Sequence, residues 1–279
     1  MGDCNSKVET EDSAPTLGGA SSPNKLGVWS SSRRVGGDTE FEIKTSLQKG
    51  RQVYENGSIY EGCFNKEGDR EGFAILTWSD GSKYEGYWRN DLANGLGKMF
   101  HSNGDNYEGE WVNDKCSGKG TYTHASGAKY IGDWLDDQQH GEGIEVWQNS
   151  TSYKGFYKHG MKNGYGELTL TDGSIFKGEF KQNVINGNGT FMWSNGKEYK
   201  GNWKNNKMNG NGVLKWADGS SYEGEFIDDM RHGYGIYINS DNEVYQGEWK
   251  EGKQHGNGQF IGSDGKTINQ HWNEGSMMS

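Results

Sequence analysis

Residues 84–106 read YEGYWRNDLANGLGKMFHSNGDN, and the pattern of this 23-residue stretch decides the fold. Its first residue, Tyr84, is followed by Gly86 two positions later and by Trp88 four positions later. The same pattern recurs nine times, with a first spacing of 24 residues and later spacings of 23. The nine copies begin at Tyr60, Tyr84, Tyr107, Tyr130, Tyr153, Phe176, Tyr199, Tyr222 and Tyr245. A fixed period of this length indicates a repeat architecture.

Each repeat contains two segments in which side chains alternate with a period of two, as in β-strands. In the first segment the aromatic residues and a glycine share one face, as Tyr84 and Trp88 do. In the second, two glycines such as Gly95 and Gly97 share a face with an apolar residue. We expect a six-residue polar loop between the two strands. The odd period then predicts a three-residue turn into the next repeat, with its glycine last, as at Gly104.

Glycine inside a strand normally weakens it, so its regular presence on the aromatic face needs a physical reason. Large rings on neighbouring strands would collide, and glycine leaves room for each ring to lie flat over the adjacent backbone. Such a sheet buries its rings without a second layer. The sequence therefore predicts an all-β fold, an elongated and twisted single-sheet antiparallel β-meander rod of hairpin repeats. Its length would be on the order of 90 Å at the usual strand spacing.

The composition disfavours several classes of function. Hydrophobic residues make up 30% of the chain, but an aromatic content of 13% is high for a disordered protein. The net charge of −10 disfavours nucleic-acid binding, because phosphate contacts need lysine and arginine. Cys4, Cys63 and Cys116 show neither a disulfide framework nor a metal-binding spacing. Because no apolar run is long enough for a signal peptide or a transmembrane helix, we expect a cytoplasmic protein.

No pattern in the sequence points to catalysis, to a metal or to a cofactor. His101 and His124 hold the same position in adjacent repeats, about 10 Å apart and too far to share a metal. The Gly-x-Gly pairs never precede a predicted helix that would cradle a phosphate. Seven residues follow Trp272, so we expect no catalytic domain after the repeats. The expectation is a protein that is not an enzyme and that has no cofactor.

The repeats resemble the MORN (membrane occupation and recognition nexus) family, whose pattern is Tyr-x-Gly-x-Trp, a loop, Gly-x-Gly and then Asp-Gly. The resemblance implies a scaffold at a membrane, at the cell cortex or on the cytoskeleton, which binds a protein partner in an aromatic groove. Phospholipid binding through the repeats is an alternative that the family also implies, although the acidic charge disfavours it. A regulatory subunit of a separate enzyme is a further alternative.

Ten aromatic residues are expected on the partner-binding face. They are Tyr84, Trp88, Tyr107, Trp111, Tyr130, Trp134, Tyr199, Trp203, Tyr222 and Trp249. The alternative is that these rings form the core of the sheet, and one ring can serve both purposes.

The chain divides into a tail at residues 1–45, the repeats at 46–272 and a short tail at 273–279. The first tail is rich in Ser, Gly and Thr and is predicted to be disordered. It begins with Met-Gly-Asp-Cys-Asn-Ser, which fits N-myristoylation at Gly2 and places Cys4 for palmitoylation. Two acyl chains would anchor the protein stably at a membrane, and a plain flexible tail is the alternative.

The last repeat departs from the pattern in its first strand, where Ile268 replaces tyrosine and Gln270 replaces glycine. Repeat arrays need atypical terminal units, so this strand is expected to be a cap. An open sheet edge also invites pairing with another strand. The alternative is therefore a homodimer formed through the C-terminal repeats.

Overall fold

The computed structural model describes residues 47–278, in which 21 β-strands and no helix are found. Contacts between backbone positions divide the chain into two compact units, with the boundary after Met161. Within the described residues, the N-terminal unit is 47–161 and the C-terminal unit is 162–278. No described residue belongs to a helix of the length and apolarity that crossing a bilayer requires. The predicted acylation sites, Gly2 and Cys4, lie outside the described residues.

Most strands are seven or nine residues long. The strands of the N-terminal unit are β1 (Gln48–Val53), β2 (Ile59–Phe64), β3 (Arg70–Thr77), β4 (Lys83–Arg89), β5 (Leu92–Phe100), β6 (Asn106–Val112), β7 (Lys115–Thr123), β8 (Lys129–Leu135), β9 (Gln138–Val146) and β10 (Ser152–Lys158). Those of the C-terminal unit, with β11 beginning at the boundary, are β11 (Met161–Thr169), β12 (Ile175–Lys181), β13 (Val184–Met192), β14 (Glu198–Lys204), β15 (Lys207–Lys215), β16 (Ser221–Ile227), β17 (Met230–Ile238), β18 (Val244–Lys250), β19 (Lys253–Ile261), β20 (Thr267–Asn273) and β21 (Ser276–Met277).

Within each unit, every strand pairs antiparallel with the next strand along the chain. This holds from β1 to β10 in the N-terminal unit. It also holds from β11 to β21 in the C-terminal unit. The prediction of an all-β antiparallel meander built of hairpin repeats is therefore confirmed in both units.

The turn that leads into each new repeat has three residues, as predicted. Met99 of β5 is directly opposite Tyr107 of β6. Between these strands, the His101 N–H donates to the Asp105 carbonyl at 2.9 Å, and the Gly104 N–H donates to the His101 carbonyl at 3.0 Å. Gly104 is last in the turn, with a φ of 92°, in the left-handed region that glycine adopts without strain. Within each unit, the odd repeat length and this turn together keep the first aromatic residue of every repeat on one face.

The expected six-residue loop inside each repeat is wrong. The first repeat has a three-residue turn, in which the Asn65 N–H donates to the Asp69 carbonyl at 2.9 Å, and the later repeats have a turn of only two residues. In the second repeat, Arg89 pairs with Leu92, and the intervening Asn90 and Asp91 have φ values of 47° and 65°. Two successive residues with positive φ form the tight hairpin turn that Asn, Asp and Gly favour. The two strands are therefore longer than predicted. A bulge at Gly95, which has a φ of 101°, accommodates the extra residues.

The first aromatic residue of a repeat is buried over a pair of glycines, except in the first repeat, where Ala74 replaces one of them. Tyr84 is 2% exposed, and its hydroxyl donates to the Tyr87 carbonyl at 3.1 Å. The ring lies against Gly86 of its own strand and Gly97 of the next, where an added Cβ would collide with it. These contacts agree with the prediction that glycine makes room for the rings. The core of each unit is a single layer of rings on one side of the sheet.

Each two-residue turn is bound to the repeat before it. The Asp114 N–H donates to the Ala93 carbonyl at 3.0 Å, and the Asp114 carboxylate accepts the Ala93 N–H at 2.7 Å. Asn or Asp makes the same pair of bonds at Asp91, Asp137, Asn183, Asn206 and Asp229. These turns therefore join consecutive repeats by side-chain as well as backbone hydrogen bonds.

Candidate functional site

The ten aromatic residues predicted to bind a partner lie in the core, where each is between 0% and 8% exposed. Each of the five tryptophans among them stands edge-on to the first aromatic residue of its own repeat and to that of the repeat before. The Trp111 ring, for example, is 5.2 Å from the Tyr107 ring and 5.1 Å from the Tyr84 ring, at near-perpendicular angles. Edge-to-face packing of this kind adds to the stability that burial itself provides. Within each unit, the structure therefore places these rings together in the core. Formation of the core is the role that the sequence analysis gave as the alternative to partner binding.

The polar atoms of these rings are mostly bound inside the sheet. The Trp111 indole N–H donates to the Gly97 carbonyl at 3.2 Å, and Trp134, Trp203 and Trp249 make the equivalent bond. Trp88 is the exception, because its buried indole N–H has no acceptor. The Arg70 guanidinium lies 4.1 Å from the Trp88 ring centroid instead. A role for these ten residues in partner binding stays a prediction.

In each unit, a second set of aromatic residues lies on the face that holds the core and is only half-buried. It consists of Trp78 and Trp147 in the N-terminal unit and of Trp193 and Trp216 in the C-terminal unit, each at the end of a second strand and beside the three-residue turn. The Trp193 ring is 4.5 Å from the Phe191 ring, and the Lys197 ammonium lies 4.6 Å from its centroid. We call these four residues the tryptophan row. The sequence pattern contains these four tryptophans, but it does not show that they are half-buried.

Histidines replace tryptophan at this position in two adjacent repeats. The Tyr122 hydroxyl donates to the Asp105 carboxylate at 2.7 Å, and Nδ1 of His124 lies 3.7 Å from the same carboxylate. Burial lowers the pKa of His101, which favours the neutral ring. Among the described residues, no group of His, Cys, Asp and Glu has the arrangement of a metal site. We interpret this cluster as a polar end to the strands.

In one repeat, a polar residue occupies a core position that is usually apolar. Glu145 is 8% exposed and accepts a hydrogen bond from the Tyr157 hydroxyl at 3.0 Å. Burial, followed by the nearby Glu145 carboxylate, raises the pKa of Tyr157 far above its ordinary value. The Tyr157 phenol therefore remains neutral and donates a hydrogen bond to Glu145. A buried carboxylate needs such a donor.

The opposite side of the strands, here called the outer face, carries charged residues in pairs. The ammonium groups of Lys98 and Lys119 lie 2.9 Å from Glu108 and 2.6 Å from Asp133, respectively. Single apolar side chains stand between these pairs, among them Phe73, Tyr165 and Tyr234. Two open troughs lie on this face, one of about 440 Å³ in the C-terminal unit and one of about 300 Å³ in the N-terminal unit.

Comparisons with solved structures find only distant likenesses. The TCP10 domain of Danio rerio CPAP is 11% identical over 80% of this chain and 100% of that chain, with a TM-score of 0.40. The TCP domain of Drosophila melanogaster SAS-4, solved with a proline-rich motif of Ana2, is 13% identical over 68% of this chain and 95% of that chain, with a TM-score of 0.34. Scores this low support no argument about function.

Sequence comparison is more informative about the family. No curated protein matches the chain significantly. The pattern of the MORN repeat, in contrast, matches nine consecutive segments: 60–83, 84–106, 107–129, 130–152, 153–175, 176–198, 199–221, 222–244 and 245–267. These segments begin at the nine aromatic residues that start the repeats, and they cover most of the chain. The chain therefore belongs to the MORN repeat family.

Proposed function

We propose that this protein is a non-catalytic scaffold that binds a protein partner through the aromatic face of its repeats. The observation that supports this best is the tryptophan row, whose four rings are half-buried on the face that holds the core. Tryptophan is enriched among the residues that dominate binding energy at protein interfaces.

The C-terminal unit contains the two members of the row with the better-defined surroundings. Trp193 lies between the Phe191 ring and the Lys197 ammonium, so its orientation is held from two sides. The Trp216 ring lies 6.0 Å from the ring of Tyr237, which belongs to the next repeat and restricts the orientation of Trp216. Side chains that are ordered before binding lose less conformational entropy when a partner docks. The proposed contact therefore centres on Trp193 and Trp216.

A photocrosslinking experiment tests this surface. The photoreactive residue p-benzoylphenylalanine is placed at position 193 or 216 and, as a matched control, at Tyr165, an exposed aromatic residue of the same unit on the outer face. After irradiation in cells, we expect one discrete adduct from positions 193 and 216 and no such adduct from 165. Equal labelling from all three positions, or no adduct from 193 and 216, contradicts the proposal. An adduct that contains a catalytic chain identifies the scaffold as the regulatory subunit of an enzyme.

The proposal also includes a membrane tether at Gly2 and Cys4, which would place the scaffold at the cytoplasmic side of a membrane, at the cortex or on the cytoskeleton. Its support is the acylation pattern of the first six residues. Fractionation of the full chain beside Gly2→Ala and Cys4→Ser variants is the test. We expect the wild type in the membrane fraction and both variants in the soluble fraction. If all three sediment alike, the repeats or their partner bind the membrane; if all three stay soluble, there is no tether.

A contact between two copies is proposed at the C-terminal edge. The short strand β21 pairs with only Trp272 and Asn273 of β20, and Ile268 of β20 is 55% exposed. Exposed edge strands accept further strands readily. Light scattering of the purified chain should therefore show a dimer that an Ile268→Lys variant converts to a monomer. A wild-type monomer, or a dimer that this variant leaves intact, rejects the contact.

A further inference from the structure

The larger trough on the outer face of the C-terminal unit crosses strands β15, β16 and β17. Its volume is about 440 Å³, and its floor is the backbone at Gly212, Gly224 and Gly235. Because these residues have no side chain, the neighbouring side chains stand as walls above a bare backbone. The same glycines make room for rings on the other face, so the trough is a consequence of the repeat pattern.

The walls of this trough combine an aromatic ring with branched apolar side chains. Tyr234 is 57% exposed, although it lies in the middle of a nine-residue strand. Val213 and Ile236 line the same space and are half-buried. An exposed ring next to half-buried apolar side chains forms a surface on which a side chain of a partner can be buried away from water.

The charged groups around Tyr234 are negative. Glu223 lines the trough, and Glu248 is directly opposite Tyr234 on β18. The Glu225 carboxylate lies beside Gly233, the residue before Tyr234. None of these three glutamates forms an ion pair within the described residues, and Glu248 accepts one backbone hydrogen bond, from Asn257 at 3.3 Å. Two lysines flank the trough on the side away from Tyr234: Lys200 is opposite Val213 on β14, and Lys215 is two residues beyond Val213 on β15.

We propose that this trough binds an extended basic segment of a protein partner, with the sequence Arg-x-Arg at its centre. A guanidinium group stacks on the face of a tyrosine and forms two parallel hydrogen bonds to a carboxylate, so Tyr234 and Glu223 are matched to arginine. Glu223 and Glu225 are two positions apart on β16 and point to the same side, roughly 6.6 Å apart. Arginines at alternate positions of an extended peptide have the same spacing.

The N-terminal unit contains a trough of similar construction that serves as an internal control. It is lined by Phe73, Ile75 and Glu61, the counterparts of Tyr234, Ile236 and Glu223. Its carboxylate is already neutralised, because Glu61 lies 3.2 Å from Arg51, and a lysine, Lys49, also lines the space. This trough therefore has the apolar wall of the first without its unpaired negative charge.

The test is fluorescence polarisation of the full chain with a labelled seven-residue peptide in which valine and arginine alternate. We expect binding that weakens about tenfold in Tyr234→Ala, the loss of one well-formed cation–π contact and its apolar area. We expect at least the same loss in Glu223→Gln/Glu225→Gln. The Phe73→Ala and Glu61→Gln variants should bind the peptide as the wild type does, and a peptide with glutamate in place of arginine should not bind.

All five substituted positions are exposed, and unchanged thermal unfolding of each variant establishes that the fold is intact. No binding of the arginine peptide rejects the site. An equal loss of affinity in the Tyr234→Ala and Phe73→Ala variants also rejects the site. In that case the peptide is attracted to the acidic protein in general and does not prefer this trough. The trough lies on the face opposite the tryptophan row, so neither result bears on the scaffold function proposed for that row.

Discussion

The carboxylate of Asp114 accepts the backbone N–H of Ala93, 21 residues earlier in the chain, at 2.7 Å. Asp114 itself has a φ of 65°, so it is both a turn residue of its own repeat and a hydrogen-bond acceptor for the repeat before. Gly160 and Gly252 hold the same turn position elsewhere and donate only their backbone N–H. The side-chain bond is therefore an addition to a contact that the backbone already makes.

Three substitutions at Asp114 separate its two roles. Asp114→Asn should be nearly neutral, because Asn183 and Asn206 make the same bond. Asp114→Gly removes the acceptor but keeps the turn, and should cost about 1 kcal/mol. Asp114→Ala removes the acceptor and also places alanine at positive φ, which should cost about 1–3 kcal/mol more. Urea unfolding measures all three, and an alanine variant as stable as the glycine variant contradicts this order.

The glycines beneath the rings should not tolerate alanine. A Cβ at Gly120 would lie 2.5 Å from Cε2 of Tyr107, a ring that is 0% exposed. Gly120→Ala should therefore destabilise the protein by about 1–3 kcal/mol, the usual cost of overpacking a core. Gly262→Ala is the control, because an added Cβ there lies 3.1 Å from the exposed Asp264 carboxylate and 3.9 Å or more from every other atom beyond the two adjacent residues. Differential scanning calorimetry should show a clear fall in Tm for the first variant alone.

The buried tyrosines make the protein sensitive to alkaline pH. Burial raises the pKa of Tyr84, Tyr107 and Tyr130 well above their ordinary value. In the unfolded chain these phenols ionise near pH 10, so above that pH the folded state binds more protons than the unfolded state. The stability that the neutral rings provide is complete below about pH 10 and is lost as the pH rises towards their folded pKa.

Absorbance at the phenolate band and circular dichroism should therefore change together as the pH is raised. Replacing Tyr107 and Tyr130 by phenylalanine, which Phe176 shows the repeat accepts, should move that transition to higher pH. A titration in which phenolate forms without loss of the strand signal contradicts this interpretation.

Acid should weaken the three-residue turns. The Ser82 backbone N–H, and then the Ser82 hydroxyl, lower the pKa of Asp80, with hydrogen bonds of 2.9 and 3.0 Å. A folded pKa below the unfolded one means that this contribution is present above about pH 4 and is lost as the pH falls through the folded pKa. The Asp80→Asn variant should show a smaller loss of stability than wild type between neutral and acid pH, as measured by urea unfolding. The same slope in both proteins excludes Asp80 as a source of the acid sensitivity.

The sequence by itself determined the repeat, the strand faces and the three-residue turn. Each of these follows from local spacing: residues two apart share a strand face, and an odd period needs an odd turn to keep Met99 opposite Tyr107. The reason for the glycines was also readable, because a ring the size of Tyr84 needs space on a crowded face.

Only the tertiary structure decided the two-residue turn, the burial of the ten rings and the accessible surfaces. Polar residues such as Asn90 and Asp91 occur both in longer loops and in tight turns. Which of the two forms here depends on a bulge at Gly95 that realigns the two strands. Burial of Trp111 depends on tyrosines of two repeats, and alternation within one strand does not show this. Whether a carboxylate such as Glu61 or Glu223 has an ion-pair partner likewise depends on which side chain the adjacent strand places beside it.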